Sequence, residues 1–172
     1  MMRLSCLCAI FFFTITAYAQ DTTMVKRLVN KFAKATFNGD AKTVLDFSYP
    51  GLIKLSGGRE AMEKMITERI AELKGRGVMK FEGWVNTPGP FYNAGDQLHV
   101  LFPETVVMKM INGRYISHSH LLGISEDKGK SWTFMDVGNM PENVLKRLLP
   151  NFNPDLHIPA PTQPTFFSDP TQ

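Results

Sequence analysis

Two histidines two residues apart, His118 and His120, are the side chains of this sequence best spaced to do chemistry. On a strand, side chains two apart share a face about 7 Å from one another, a spacing that can hold a metal ion or set two bases in one pocket. An ordinary histidine pair on a sheet surface has the same spacing. Met108-x-Met110 comes shortly before them, and methionine with histidine is a copper-binding set. The intervening turn separates the two pairs. A two-residue loop at Asn112-Gly113 matches Ile111 with Arg114, so Met110 faces Tyr115, Met108 faces Ser117 and Val107 faces His118. The methionines then share one sheet face with Tyr115, Ser117 and Ser119. His118 and His120 take the other with Lys109 and Ile116, and no pooled metal site is expected.

A third group completes the catalytic candidates. If the loop from Ser125 to Ser131 matches Ile124 with Trp132, His120 lies opposite Asp136. A carboxylate beside an imidazole fixes its tautomer and raises its basicity, as acid–base catalysis requires. A slip of one residue moves Asp136 to the other face and removes the pair. Two further motifs have local explanations. Gly57-Gly58-Arg59-Glu60 opens a helix but lacks the lysine and spacing of a phosphate loop, so it reads as a tight turn. Ser125-x-Asp127-x-Gly129-x-x-Trp132 resembles the Asp-box hairpin of sialidases, in which the aspartate caps turn amides and the tryptophan packs beneath.

The elements that position these residues follow from periodicity. Val25, Leu28, Val29, Phe32 and Thr36 recur at helical spacing over 22–37, and Asn38-Gly39 ends the run. Asp40 is suited to cap a short helix that reaches Phe47, where Tyr49-Pro50 stops it. Leu52 to Leu55 has the length of a short strand, and a third helix spans Arg59 to Lys74. From Val78 the period becomes two, with strands predicted at 78–85, 97–102, 105–111, 114–124 and 132–138. Pro141 starts a last short helix, 141–149. Beyond Pro150 the prolines predict an extended tail, with Leu156, Ile158, Phe166 and Phe167 available to pin it. Apolar residues on both sheet faces imply two covers, one of helices and one of the tail or a second subunit.

Composition sets the compartment. Arg3, the apolar run Leu4–Ile15 and Ala17-Tyr18-Ala19 form an export signal over residues 1–19, which carries both cysteines, Cys6 and Cys8. The expected mature protein is exported, periplasmic or secreted, with no membrane anchor, disulfide or cysteine metal site. The formal charge of +3 at pH 7 is small and scattered, without the basic stripe of a nucleic-acid binder. Three units are expected: the signal at 1–19, one domain at 20–149 and the proline-rich tail at 150–172.

Three helices ahead of an antiparallel meander make an α+β fold. Phe37-Asn38-Gly39-Asp40, Tyr49-Pro50, Leu52-Ile53, Gly57-Gly58-Arg59-Glu60 with Met62, and Ser125-x-Asp127-x-Gly129-x-x-Trp132 before Phe134 resemble the nuclear transport factor 2-like superfamily in its exported bacterial branch. That resemblance covers about residues 22–138 and implies a cone, in which a curved sheet wraps a long helix around a cavity. It also implies a homodimer, here through the sheet. The superfamily holds ketosteroid isomerase-like, SnoaL-like polyketide cyclase and scytalone dehydratase-like enzymes, and non-catalytic binding modules. The expected function is therefore binding of a small apolar or amphipathic molecule in the cavity, or service as an interaction module. The alternative is an isomerase, dehydratase or hydrolase without cofactor, using His118 or His120 with Asp136. Tyr49, Trp84, Met108, Tyr115, Ser117 and Ser119 are the expected ligand contacts.

Overall fold

A computed structural model describes residues 22–169. The export signal, with Cys6 and Cys8, lies outside the described residues. Helix α1 (Thr22–Asn38) buries Val25, Val29 and Phe32 of the predicted stripe together with Ala33 and Ala35, while Leu28 is partly buried and Thr36 is exposed. Asp40 caps α2 (Ala41–Phe47) by accepting from the Thr43 backbone N–H at 3.1 Å and from its hydroxyl at 2.7 Å.

The strand expected at Leu52–Leu55 is instead helix α3 (Pro50–Leu55). Proline at the first helical position already has the helical φ and has no N–H to leave unbonded. Just before it, Ser48 bridges Phe134 and the Tyr49 N–H donates to the Phe134 carbonyl, which docks the chain at the sheet edge. The six residues that follow form α3, with the Leu52 and Ile53 N–H groups bonded back to the Tyr49 carbonyl. Helix α4 (Arg59–Gly75) ends where Val78 N–H bonds the Leu73 carbonyl and Gly77 N–H bonds that of Lys74. Gly77 accepts φ 92° there, which a residue with a side chain resists.

Among the described residues six strands form one antiparallel sheet, β1 (Lys80–Val85), β2 (Phe91–Ala94), β3 (Gln97–Met110), β4 (Gly113–Ser125), β5 (Thr133–Asp136) and β6 (Thr165–Ser168). Strand β3 pairs with β4 on one side and with β1 and β2 in succession on the other. β5 and β6 share the far side of β4. The two strands predicted at 97–102 and 105–111 are one, because Pro103 does not interrupt β3. β1 ends opposite Glu104 and β2 begins opposite Val100, so Pro103 borders the gap between them. Its carbonyl accepts from the Asn86 N–H across that gap at 2.8 Å, and no ladder partner there needs an N–H from proline.

The β3–β4 hairpin is shifted by two residues from expectation. Met110 pairs with Gly113, Met108 with Tyr115 and Thr105 with His118. Gly113 belongs to the strand because β6 crosses it closely. A Cβ there would collide with the Phe167 carbonyl and come within 2.8 Å of the Phe166 ring. A shift of two preserves the faces, so the separation of methionines from histidines stands.

The sheet curls into a half-barrel with part of each face covered. Leu98, Val100, Phe102, Leu121, Trp132 and Phe134 meet α1 on the helix side. On the other side Leu122, Ile124, Met135 and Val137 pack under Leu145, Leu149 and Leu156, from α5 (Glu142–Leu148) and the segment after it. The chain's own C-terminal region thus supplies a second cover. β6 ties the tail to β4, with the Phe166 ring 4.9 Å from that of Tyr115.

Candidate functional site

The helix-facing wall of the sheet carries an acidic group that alternation alone would make apolar. Along β3, Leu98, Val100, Phe102, Glu104, Val106 and Met108 point to this side. Glu104 is 5% exposed and sits between Val85 on β1 and Ser119 on β4. Burial, and then the charge of Asp136, push its carboxyl up to about 8. Glu104 is therefore a neutral acid at pH 7, able to donate a hydrogen bond.

Asp136 shares this face because β5 is one residue out of the expected register. Thr133, not Trp132, pairs with Ile124, and Leu121, not His120, pairs with Asp136. The Asp136 Oδ1 accepts from the Ser119 hydroxyl at 2.7 Å and from the Gly138 N–H at 2.8 Å. Ser119 thus stands opposite Glu104 in the ladder and gives its proton to Asp136. A carboxylate, a hydroxyl and a neutral carboxylic acid adjoin on one wall. Asp136 is exposed while Glu104 is sunk behind it, so the cluster runs from solvent into the interior.

The His120–Asp136 acid–base pair expected from the sequence is not formed. His120 lies on the opposite face against Pro103, half-buried, and burial lowers its pKa against the opposing pull of Asp136. His118 is exposed on that same face, with Nδ1 3.3 Å from the Thr105 hydroxyl. Neither imidazole reaches the helix-facing wall. Among the described residues no group of three or more His, Cys, Asp or Glu is placed to hold a metal ion.

The expected ligand contacts divide three ways. Met108, Tyr115, Ser117 and Ser119 line the helix-facing wall with Glu104. Trp84 is 54% exposed on the other face, where it pairs with Thr105. Tyr49 is 8% exposed in the second core with Leu122 and Met135, because the chain crosses the sheet edge at Ser48–Tyr49.

No family model, no curated protein and no solved structure matches this chain. No helix among the described residues is long and apolar enough to cross a membrane.

Two buried titratable residues are not picked out by the sequence reading. Glu104 fell in the gap left by splitting β3 at Pro103; reading alternation straight through the proline finds it. His99 is fully buried on the opposite face, with Nε2 3.0 Å from the Gln97 side-chain oxygen and its ring 5.6 Å from that of Phe152. Burial lowers its pKa to about 4. Its Nδ1 is buried with no hydrogen-bond partner.

The Asp-box turn is built as its motif predicts. Asp127 accepts from the Ser131 N–H at 2.8 Å and its hydroxyl at 2.7 Å, and Gly129 takes φ 89°. The Trp132 indole N–H donates to the Gly129 carbonyl at 3.1 Å. These bonds are made within the turn.

Proposed function

We propose that this chain is an exported nuclear transport factor 2-like domain that binds a small, partly apolar molecule between its helices and the curled sheet. The observation that carries this reading is Glu104, a buried acid set among apolar side chains beside the Ser119–Asp136 pair. A neutral carboxylic acid in an apolar wall is costly to bury without a partner and well suited to donate to a carbonyl or hydroxyl of a ligand. Met108, Tyr115 and Ser117 extend the same wall with mixed apolar and hydroxyl contacts. The order of helices and strands supports the superfamily reading, and the leader in the sequence supports export. A homodimer would use the part of the other face around Trp84, Ile116 and His118, which α5 does not cover.

A second reading, an acid–base enzyme without cofactor, draws on the same cluster. The Asp136 carboxylate would take a proton from carbon while Glu104 donates to the neighbouring carbonyl, the division of labour of an isomerase or dehydratase. In this reading Glu104 replaces the histidines as the partner of Asp136.

The test is to incubate purified protein with a metabolite extract, wash, denature and identify released compounds by mass spectrometry. The expected result is a small compound retained by the wild type and by Glu104→Gln, and lost from Glu104→Leu. The absence of any retained compound that Glu104→Leu releases would overturn the proposal. The enzyme reading additionally requires turnover of that compound, abolished in Asp136→Asn while the compound is still bound.

A further inference from the structure

A cavity lies between α5 and the proline-rich segment that follows it. It encloses about 930 Å³, within the range of small-molecule pockets. Val137, Met140, Leu145, Leu149, Phe152 and Ile158 supply its apolar walls.

The hydrogen-bonding character of those walls restricts the occupant. Pro150, Pro154, Pro159 and Pro161 line the cavity and have no N–H. The N–H groups of Met140, Leu149, Phe152 and Leu156 are already bonded to the carbonyls of Val137, Leu145, Leu149 and Asn153. Backbone N–H groups of His157, Ile158 and Ala160 remain along one strip of the lining, but a peptide lying here would bury its other carbonyls against the proline and apolar walls, an expensive arrangement. A hydrocarbon chain has no such demand. The rim supplies the remaining selection. Glu142 and Lys146 both border the cavity and are paired with each other at 2.6 Å, so they present no net charge, and His157 adds a neighbouring polar group. A charged head would meet one rim charge of its own sign.

We infer that this cavity is a second binding site, for a lipid-like molecule with a single apolar chain and an uncharged hydroxyl-bearing head. The chain lies along Val137, Leu145 and Ile158, and the head stays at the rim near Glu142, Lys146 and His157. The prolines hold the outer wall in place before the ligand arrives, which reduces the entropy lost on binding. Glu104 itself lies on the other side of the sheet, and the cavity lining touches its cluster at Gly138, whose N–H bonds Asp136.

The uncharged fluorophore N-phenyl-1-naphthylamine is a suitable probe, titrated into the purified protein and competed with dodecan-1-ol, dodecanoate and dodecyltrimethylammonium. Saturable probe binding is expected, with dodecan-1-ol displacing it about tenfold more tightly than either charged amphiphile. Ile158→Asp puts a charge in the wall, and Ala160→Trp fills the cavity from an exposed position outside the core. Each should weaken probe binding about tenfold or more, with the fold checked by circular dichroism. Glu104→Leu should leave it unchanged, which separates this site from the one proposed above. Absence of saturable binding, binding that neither cavity variant weakens, or displacement by a charged amphiphile as tight as by the alcohol overturns the inference. Loss of probe binding in Glu104→Leu with the fold intact also overturns it, by placing the probe on the helix side.

Discussion

Ser119 stands directly opposite Glu104 in the β3–β4 ladder, yet its hydroxyl donates to Asp136 on the next strand. Two carboxyl groups thereby share one wall in different roles, an exposed hydrogen-bonded Asp136 and a Glu104 kept neutral by burial and by the charge of Asp136.

This relationship makes stability depend on pH in a predictable direction. Glu104 has an ordinary value of 4.5 and is raised to about 8 in the fold. Below 4.5 both folded and unfolded chains hold the proton and stability is full. As pH rises through about 8 the contribution is lost, because the folded state binds that proton more tightly. Urea unfolding between about pH 5 and 9 should show the wild type losing on the order of a few kcal/mol from this group. Glu104→Gln, neutral throughout, should be flatter over that window.

His99 gives the opposite limb. Its ordinary value of 6.5 falls to about 4 on burial, so its contribution is complete above 6.5 and is lost as pH falls through about 4. The groups around it are Gln97, Tyr92, Ile124 and Phe152, with Glu126 bonded to the far side of Gln97. Melting temperatures from about pH 7 down to 4 should fall less in His99→Phe than in the wild type. Parallel curves would show that His99 is not the group being charged.

Legibility in the sequence tracked how locally each feature is determined. The α1 stripe, the Asp40 cap and the Asp-box turn depend on neighbours a few residues away and were readable. The α3 helix was misread because Leu52–Leu55 suits either conformation, and docking of Tyr49 on Phe134 decides between them. The candidate site depended on register across two hairpins. The β3–β4 error was even and left the faces intact, whereas the β4–β5 error was odd and moved Asp136 from His120 to Ser119. A cluster assembled from β3, β4 and β5 cannot be read without that register. The one local clue was Glu104, an acid in an inward-facing alternation.

Gly138 probes the cluster from its edge. A Cβ at this position would collide with the Ser119 hydroxyl and lie 3.2 Å from the His120 backbone nitrogen. Gly138→Ala should destabilise by about 1–3 kcal/mol and weaken ligand retention together with stability. Wild-type stability and retention in this variant would mean that the Ser119–Asp136 contact is dispensable.

The histidines should be the tolerant positions. His118→Ala and His120→Ala alter an exposed and a half-buried side chain on the face away from Glu104. Both variants should fold and retain the helix-side ligand as the wild type does. Selective loss of retention in either would return the site to the imidazoles.

The most direct measurement is a crystal structure of the protein with the compound recovered from the extract. The account predicts the ligand against the helix-facing wall, with a polar atom within hydrogen-bond reach of Glu104 and its apolar body along Met108, Tyr115 and Ser117. A ligand bound on the opposite face beside His118 and His120, with Glu104 untouched, would contradict it.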